Sequence, residues 1–178
     1  MKRKNLLLIL VLIAIIAAII LIEKPFSTKS SVKNVKDIVE LRVGGLAPDF
    51  SLIDTTDKKV SLSDFIGKKS VIINFWASWC VACVSEMPLL QEASQTYKND
   101  LVVLGVNRQE SKNDAIKFAY FVGVTFPLLL DNDRSVNDLY HVLGLPATFF
   151  VNKDGVITGF KRGELNSQEL YNYIQDMI

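Results

Sequence analysis

The 178-residue chain has few side chains of the types that bind metals or form stabilising cross-links. It contains two cysteines and one histidine, His141. A zinc site needs about four ligands, so no metal site and no other cofactor are predicted, and His141 is interpreted as a surface or packed side chain. Basic side chains form no stripe interleaved with aromatic ones, which argues against nucleic acid as a partner. The chemistry of the chain must therefore be sought at the two cysteines.

The two cysteines, Cys80 and Cys83, lie in the segment W-A-S-W-C-V-A-C at residues 76–83. An apolar β-branched run precedes them at residues 71–73 and a helical pattern follows, which predicts a strand leading into a helix. Cys80 would lie near the helix N-terminus, where the macrodipole and free backbone N–H groups favour a thiolate. Cys83 would lie on the same face, within reach of a disulfide to Cys80. The spacing indicates reversible thiol–disulfide chemistry.

A structural disulfide between the same two cysteines is the alternative. The stabilisation that a disulfide gives in the chain-entropy account grows with the length of the loop it closes. The loop from Cys80 to Cys83 has four residues and constrains the unfolded chain least. We therefore favour a redox function over a structural one.

The N-terminus predicts a membrane anchor. Residues 1–4 read M-K-R-K, and residues 6–22 form an apolar run of seventeen residues without a charge or a proline. The run exceeds the apolar region of a usual secretory signal, about 7–15 residues, and reaches the short end of the roughly 17–25 that span a bilayer. Neither a small-residue cleavage pattern nor a cysteine for lipid attachment follows, so residues 1–24 are predicted to be an uncleaved signal-anchor. A cleaved signal peptide is the alternative. Because basic residues stay in the cytoplasm, a single-pass cell-membrane protein with an extracytoplasmic C-terminal part is predicted.

The composition predicts one folded domain beyond that anchor. Residues 25–42 are largely polar, lysine-rich and aperiodic, which is typical of a tether. Residues 43–178 are enough for one domain with a buried core. Three of the 20 Lys and Arg residues precede the apolar run and all 19 Asp and Glu residues follow it, so the part beyond it has a formal net charge of −2.

Strand and helix patterns alternate along the predicted domain. A turn that enters a short strand is predicted at residues 45–52, with residues 59–62 as its hairpin partner. Further strands are predicted at residues 71–75, 101–106, 128–130, 147–151 and 156–160. Helices are predicted at residues 81–97, 111–122 and 133–142. A last helix begins at Asn166, with Glu169 completing a capping box, and its inner face is predicted to carry Leu170, Tyr173, Ile174 and Ile178. The alternation predicts an α/β domain with a mixed central sheet flanked by helices.

The order of the motifs resembles a known family. W-A-S-W-C-x-x-C at residues 76–83, L-P-A-T-F at residues 145–149 and N-K-D-G at residues 152–155 resemble the thioredoxin fold. G-x-A-P-D-F at residues 45–50, with Asn74 and Glu86, is similar to the membrane-anchored TlpA/ResA-like thiol–disulfide oxidoreductases. The resemblance covers about residues 43–177. It implies a thioredoxin-like fold with an N-terminal β-hairpin extension, preceded by a single transmembrane helix.

The resemblance implies a role for each matching residue. Cys80 would be the exposed nucleophile that forms a mixed disulfide with the substrate, and Cys83 the buried resolving thiol. Pro146 would be a cis-proline facing the dithiol, with an ordinary trans proline as the alternative. It would bring the backbone of Leu145 beside Cys80 to pair with a substrate strand. Trp79 is interpreted as an exposed residue at the rim that contacts the substrate.

Glu86 is predicted to be the proton acceptor for Cys83. The resemblance places Asn74 where thioredoxin has a buried aspartate that helps deprotonate the resolving cysteine, and an amide cannot take up a proton. Glu86 follows Cys83 by three residues and would lie one turn further along the same helix face. A carboxylate partly buried near two thiols has a raised pKa and can move protons near neutral pH. A solvent-facing acid is the alternative. Arg108 and Glu110, after the strand at residues 101–106, are further candidates for lining the site.

The resemblance predicts an extracytoplasmic thiol–disulfide oxidoreductase that reduces protein disulfides. By analogy the client would be the haem-binding C-x-x-C-H of an apocytochrome c, in cytochrome c maturation, with electrons supplied by a membrane dithiol-relay protein. One alternative is a peroxiredoxin-like thiol peroxidase, since A-P-D-F at residues 47–50 also begins that family, although its threonine-x-x-cysteine pattern is missing. Another is a non-catalytic, Sco-like copper-binding module, whose C-x-x-x-C spacing is one residue longer than the spacing here.

Overall fold

A seven-stranded sheet forms the centre of the structure, a computed structural model that describes residues 41–178. The predicted membrane anchor, residues 1–24, and all but the last two residues of the predicted tether lie outside the described residues. Between residues 41 and 178, no helix has the length and apolar character needed to span a membrane.

The sheet is mixed, as the alternation of patterns predicts. Its strands are β1 (Ser51–Asp54), β2 (Lys59–Ser61), β3 (Ser70–Trp76), β4 (Leu101–Arg108), β5 (Leu128–Asp131), β6 (Ala147–Val151) and β7 (Ile157–Arg162). They lie in the order β2-β1-β5-β4-β3-β6-β7. The three strands β3, β4 and β5 run parallel, whereas β6 pairs antiparallel with β3 and β7, and β1 pairs antiparallel with β5 and β2.

Four α-helices between residues 41 and 178 accompany the sheet, and side chains cap the N-termini of three of them. They are α1 (Val81–Thr96), α2 (Lys112–Val122), α3 (Ser135–Leu139) and α4 (Ser167–Met177), with a 3₁₀ turn at Leu62–Asp64. Ser111 caps α2 by accepting a hydrogen bond from the N–H of Asp114, and Gly123 ends that helix at φ 73°. Asn166 and Glu169 form the predicted capping box of α4, each accepting from the backbone N–H of the other.

Two apolar layers enclose the sheet. One layer packs α1, α2 and α4 against residues such as Ile72 and Trp76, and Trp76 stacks on Phe118 of α2 with ring centroids 4.3 Å apart. The other layer covers the opposite face with the segment at residues 41–50, the 3₁₀ turn and α3. All seven residues of β3 are buried between the two layers. The C-terminal end of this strand leads into the two cysteines, so the core fixes the position of the site.

The helix predicted at residues 133–142 is wrong in length, because α3 ends at Leu139. The buried Tyr140 donates a hydrogen bond from its hydroxyl group to the carbonyl oxygen of Pro48 (2.6 Å). The next residue, His141, has φ 49°, which lies outside the helical region. A tertiary contact therefore ends the helix before its sequence pattern does, and the chain turns toward Pro146.

Candidate active site

The two cysteines lie where β3 gives way to α1, and they form a disulfide with their Cα atoms 5.2 Å apart. Cys80 is the N-cap of α1, and its sulfur accepts a hydrogen bond from the backbone N–H of Cys83 (3.2 Å). This donor belongs to the first turn of the helix. After reduction, the same N–H and the helix macrodipole can therefore stabilise a thiolate at Cys80.

The cysteines differ in their access to solvent, although less than the sequence predicts. Cys83 has no exposed surface, as expected, but Cys80 is only 7% exposed and is not the open nucleophile predicted. The reason is packing, because both cysteines belong to the apolar cluster that contains Trp76 and that Leu145 packs against. Trp79, immediately before Cys80, is 67% exposed, in line with its prediction as a rim residue.

Glu86 is completely buried, so the alternative of a solvent-facing acid is wrong. One carboxylate oxygen, Oε1, accepts a hydrogen bond from Nδ2 of Asn74 (2.7 Å), and the other, Oε2, accepts from the backbone N–H of Leu165 (2.9 Å). Burial raises the pKa of Glu86 to about 7, although these two hydrogen bonds act in the opposite direction. The predicted rise of this pKa is confirmed, and the carboxyl group can exchange protons near neutral pH.

The loop before β6 lies against the same cluster as the disulfide. The peptide bond between Leu145 and Pro146 is cis, so the trans alternative is wrong. Leu145 is half-buried against the apolar cluster that contains the two cysteines, and Pro146 is buried. The carbonyl oxygen of Pro146 accepts a hydrogen bond from the N–H of Gly163 (2.8 Å), which ties the loop to the segment after β7.

A second carboxylate, Glu110, holds the chain just before Cys80. Its Oε2 accepts hydrogen bonds from the backbone N–H of Ser78 (2.7 Å) and from Nδ2 of Asn107 (2.7 Å), and its Oε1 accepts from the Ser78 hydroxyl group. Glu110 thus contacts the cysteine segment, whereas sequence reasoning missed Ser78 and Asn107. The signal that could have found Asn107 is the parallel pairing of β3 with β4, which sets Trp76, the last residue of β3, opposite Asn107.

Ligands for a metal ion are not grouped in the described part of the chain. No set of three or more His, Cys, Asp and Glu side chains in residues 41–178 could hold an ion. The reactive groups that the structure does bring together are the disulfide and the buried carboxyl group of Glu86.

Comparison with known proteins also indicates thiol–disulfide chemistry. Residues 43–160 match the AhpC/TSA family. Thiol-disulfide oxidoreductase ResA of Bacillus subtilis (strain 168) is 38% identical over 132 residues, covering 74% of this chain and 73% of that protein. Thioredoxin-like protein YneN of the same organism is 36% identical over 138 residues, covering 76% and 80%. The crystal structure of a Chlorobium tepidum protein assigned as thiol:disulfide interchange protein DsbE superposes with a TM-score of 0.70 and 32% identity, over 76% of this chain and 96% of that one. The chain is a thiol–disulfide oxidoreductase with a thioredoxin-like fold, and it belongs to the TlpA/ResA-like members of the AhpC/TSA family.

Proposed function

We propose that the chain is an extracytoplasmic reductase of protein disulfides, held at the cell membrane by residues 1–24. Residues 25–42 would be the tether and residues 43–178 the catalytic domain. Cys80 would be the nucleophile, Cys83 the resolving thiol and Glu86 the proton acceptor. The observation that carries this proposal is the buried carboxyl group of Glu86, one helical turn beyond Cys83, with a pKa of about 7.

The reaction that we propose begins with the reduced enzyme. The thiolate of Cys80 attacks one sulfur of the client disulfide, the client S–S bond breaks, and the sulfur that leaves takes up a proton. Glu86 then accepts the proton of Cys83, and the new thiolate attacks the sulfur of Cys80 in the mixed disulfide. The second client sulfur leaves as a thiolate. The client has gained two electrons, and the enzyme is left with the Cys80–Cys83 disulfide, the form in the structure.

Client binding is proposed at three residues around the disulfide. Trp79 offers an exposed indole ring directly before Cys80. Leu145 would present its backbone to an extended client segment, and Pro146 holds the position of that backbone through its hydrogen bond to Gly163. Because Cys80 is only 7% exposed, a client disulfide must approach closely along this rim to reach the sulfur.

The client class that we propose is the oxidised C-x-x-C-H of an apocytochrome c, so the protein would act in cytochrome c maturation. The support is the family resemblance of the motifs at residues 45–50, 76–83 and 145–149. Each turnover leaves the enzyme oxidised, so two electrons must return to it. On the extracytoplasmic side, a membrane protein that relays electrons through dithiols would supply them.

The test uses the reduced full-length chain in detergent and an oxidised peptide containing C-x-x-C-H. We expect the wild type to release peptide thiols, Cys83→Ser to accumulate a mixed disulfide through Cys80, and Cys80→Ser to do neither. A peptide with one of its cysteines replaced by serine is the matched control. Hydrogen peroxide and copper(I), offered in place of the peptide, test the peroxidase and copper-binding alternatives. No thiol release and no trapped peptide would overturn the proposal.

The direction of electron flow is tested by the reduction potential of the Cys80–Cys83 couple. A reductase should lie near thioredoxin, about −270 mV, rather than near the oxidant DsbA, about −120 mV. Titration with glutathione or dithiothreitol, followed by thiol trapping, measures this value. A potential near that of DsbA would recast the protein as a donor of disulfides.

A further inference from the structure

The side chain of Asn74 links Glu86 to β6. Asn74 on β3 and Thr148 on β6 are paired in the antiparallel register, and both are completely buried. Nδ2 of Asn74 donates hydrogen bonds to Oε1 of Glu86 (2.7 Å) and to Oγ1 of Thr148 (3.0 Å). An amide nitrogen carries two hydrogens, so both are engaged and the amide group is held in one orientation.

The other atom of this amide shows which protonation state of Glu86 the arrangement suits. Oδ1 of Asn74 is buried and has no hydrogen-bond partner among residues 41–178. A buried acceptor without a partner costs on the order of 1–3 kcal/mol. In the reversed orientation Oδ1 would face Oε1 of Glu86, and two acceptors make a hydrogen bond only if the carboxyl group carries a proton. The observed orientation therefore suits ionised Glu86, and the reversed one suits protonated Glu86.

Thr148 can form a hydrogen bond with Asn74 in either orientation of the amide group. A hydroxyl group is a donor and an acceptor, so Oγ1 accepts from Nδ2 of Asn74 in the observed orientation and can donate to Oδ1 in the reversed one. Valine has nearly the same shape and neither function. Thr148, which pairs with Asn74, can therefore keep a hydrogen bond to it whether or not Glu86 carries a proton.

We propose that Thr148 is a positioning residue for the reduction reaction, acting through Asn74 to hold the carboxylate of Glu86 ready to accept the proton of Cys83. The inference rests on the proposed function and extends it to β6. In the step concerned, the S–H bond of Cys83 breaks and an O–H bond forms on Glu86. No electrons pass between residues until the new thiolate attacks Cys80.

Few charged groups act on Glu86 from the elements packed around it. The disulfide lies before it on the same helix. Glu164, in the segment before α4, raises the pKa of Glu86, and Lys161 of β7 lowers it. Lys161 is itself paired with Glu169 of α4. Thr148 carries no charge, so its replacement changes the hydrogen bonds around Glu86 without altering this electrostatic environment.

The experiment measures the two steps of peptide reduction separately in the full-length chain, across pH 5 to 9. The first step, mixed-disulfide formation, is followed in the Cys83→Ser background, and the second step, release of the peptide, in chains with both cysteines. Thr148→Val should slow the second step roughly 2- to 10-fold, the equivalent of one hydrogen bond. It should also move the pH midpoint of that step, because Nδ2 of Asn74 is no longer held on Oε1 of Glu86 by its second hydrogen bond. The first step should be unchanged.

Three further variants complete the design. Thr148→Ser keeps the hydroxyl group and should restore the wild-type midpoint. Thr158→Val removes a hydroxyl group of neighbouring β7 that donates to the carbonyl oxygen of Phe150 (3.4 Å), and it should leave both steps at wild-type rates. Glu86→Gln should abolish the midpoint near pH 7 in the second step, because this midpoint belongs to Glu86.

Each outcome distinguishes this inference from the proposed function. If Glu86→Gln alters the second step but Thr148→Val leaves its rate and midpoint at wild-type values, the inference is overturned and the role of Glu86 stands. If Glu86→Gln also behaves as wild type, the proposed role of Glu86 has failed. If Thr148→Val and Thr148→Ser slow both steps equally, the effect is a packing defect, and that too overturns the inference.

Discussion

Among single residues, Glu86 carries a measurable link between pH and stability. Folding removes its carboxyl group from water and raises the pKa from 4.5 to about 7. In the unfolded chain the group ionises at its ordinary pKa. As the pH rises, ionisation therefore stabilises the unfolded state before it stabilises the folded state. The contribution of Glu86 to stability is therefore fully present below about pH 4.5 and is lost as the pH rises through about 7. We expect the free energy of unfolding to fall by up to about 3 kcal/mol across this window.

Urea unfolding of the oxidised chain at pH 5 and pH 8 measures this loss. The contribution of Glu86 should disappear in Glu86→Gln, because an amide does not titrate. Glu92→Gln, which replaces an exposed acid of the same helix, should keep the wild-type difference between the two pH values. A Glu86→Gln chain that loses as much stability as the wild type would contradict the assignment.

Glu110 stabilises the segment before the cysteines, and its removal should be costly. Glu110→Ala leaves three donors without their acceptor: the N–H and hydroxyl groups of Ser78 and Nδ2 of Asn107. Orphaned donors in a partly buried site should lower the free energy of unfolding by about 1–3 kcal/mol. Ser78→Ala removes only one of these hydrogen bonds and should have a smaller effect. Urea unfolding measures both variants, and a Glu110→Ala chain as stable as the wild type would show that the contact contributes nothing.

At the scale of elements, side chains from β3, from β5 and from the segment before β5 pack closely over Gly105 of β4. Gly105 of β4 lies opposite Asn74 in the parallel register. A Cβ atom on Gly105 would lie 2.7 Å from Cδ2 of Leu128, 3.0 Å from Nε1 of Trp76 and 3.1 Å from Cε2 of Phe126. Gly105→Ala should therefore overpack the core and lower the free energy of unfolding by about 1–3 kcal/mol.

Gly144 provides the matched control for that substitution. A Cβ atom on Gly144 would have no heavy atom within 4 Å apart from its chain neighbours. Gly144→Ala should change the free energy of unfolding by less than about 0.5 kcal/mol. Equal effects of the two substitutions in urea unfolding would mean that the close approach of Gly105 does not limit the packing.

The elements also show what the sequence could predict. The buried strand β3, the start of α1 and the capping box of α4 follow from local patterns, and the structure confirms all three. The contact of Ser78 with Glu110 joins residues 32 positions apart in sequence, so no local pattern contains it. The low exposure of Cys80 has the same origin, because Leu145 reaches its cluster from a distant loop.

Two element ends were mispredicted for a related reason. The periodic pattern after residue 133 continues through Val142, but the hydrogen bond from Tyr140 to Pro48 depends on a residue 92 positions away. At the C-terminus, the pattern places Ile178 on the inner face of α4, yet Ile178 is exposed and Met177 is buried. Periodicity predicts which face of a helix is apolar, whereas tertiary contacts decide where that face ends.

At the scale of the whole molecule, the segment that follows the tether runs along β7. Ala47 donates a backbone hydrogen bond to Gly155, in the turn between β6 and β7. Residues 41–43, where the tether would join, line a pocket with Phe160 and Arg162 at the other end of β7. Arg162 pairs with Ala147, one residue beyond Pro146. The point where the tether would join therefore lies toward the end of β7 that borders the Pro146 loop.

The proposed anchoring can be tested by asking from which side of the membrane Cys80 is reached. We expect the full chain to sediment with membranes and, after mild reduction, to react in intact cells with a thiol reagent that cannot cross the membrane. The basic residues 1–4 should hold the N-terminus inside, so the domain must lie outside.

A chain lacking residues 1–24 is the control and should be soluble and react only after lysis. A shorter product released outside would instead show that the apolar run is cleaved as a signal peptide. Full-length chain that reacts only after lysis would place the domain in the cytoplasm and overturn the proposed location of the reductase.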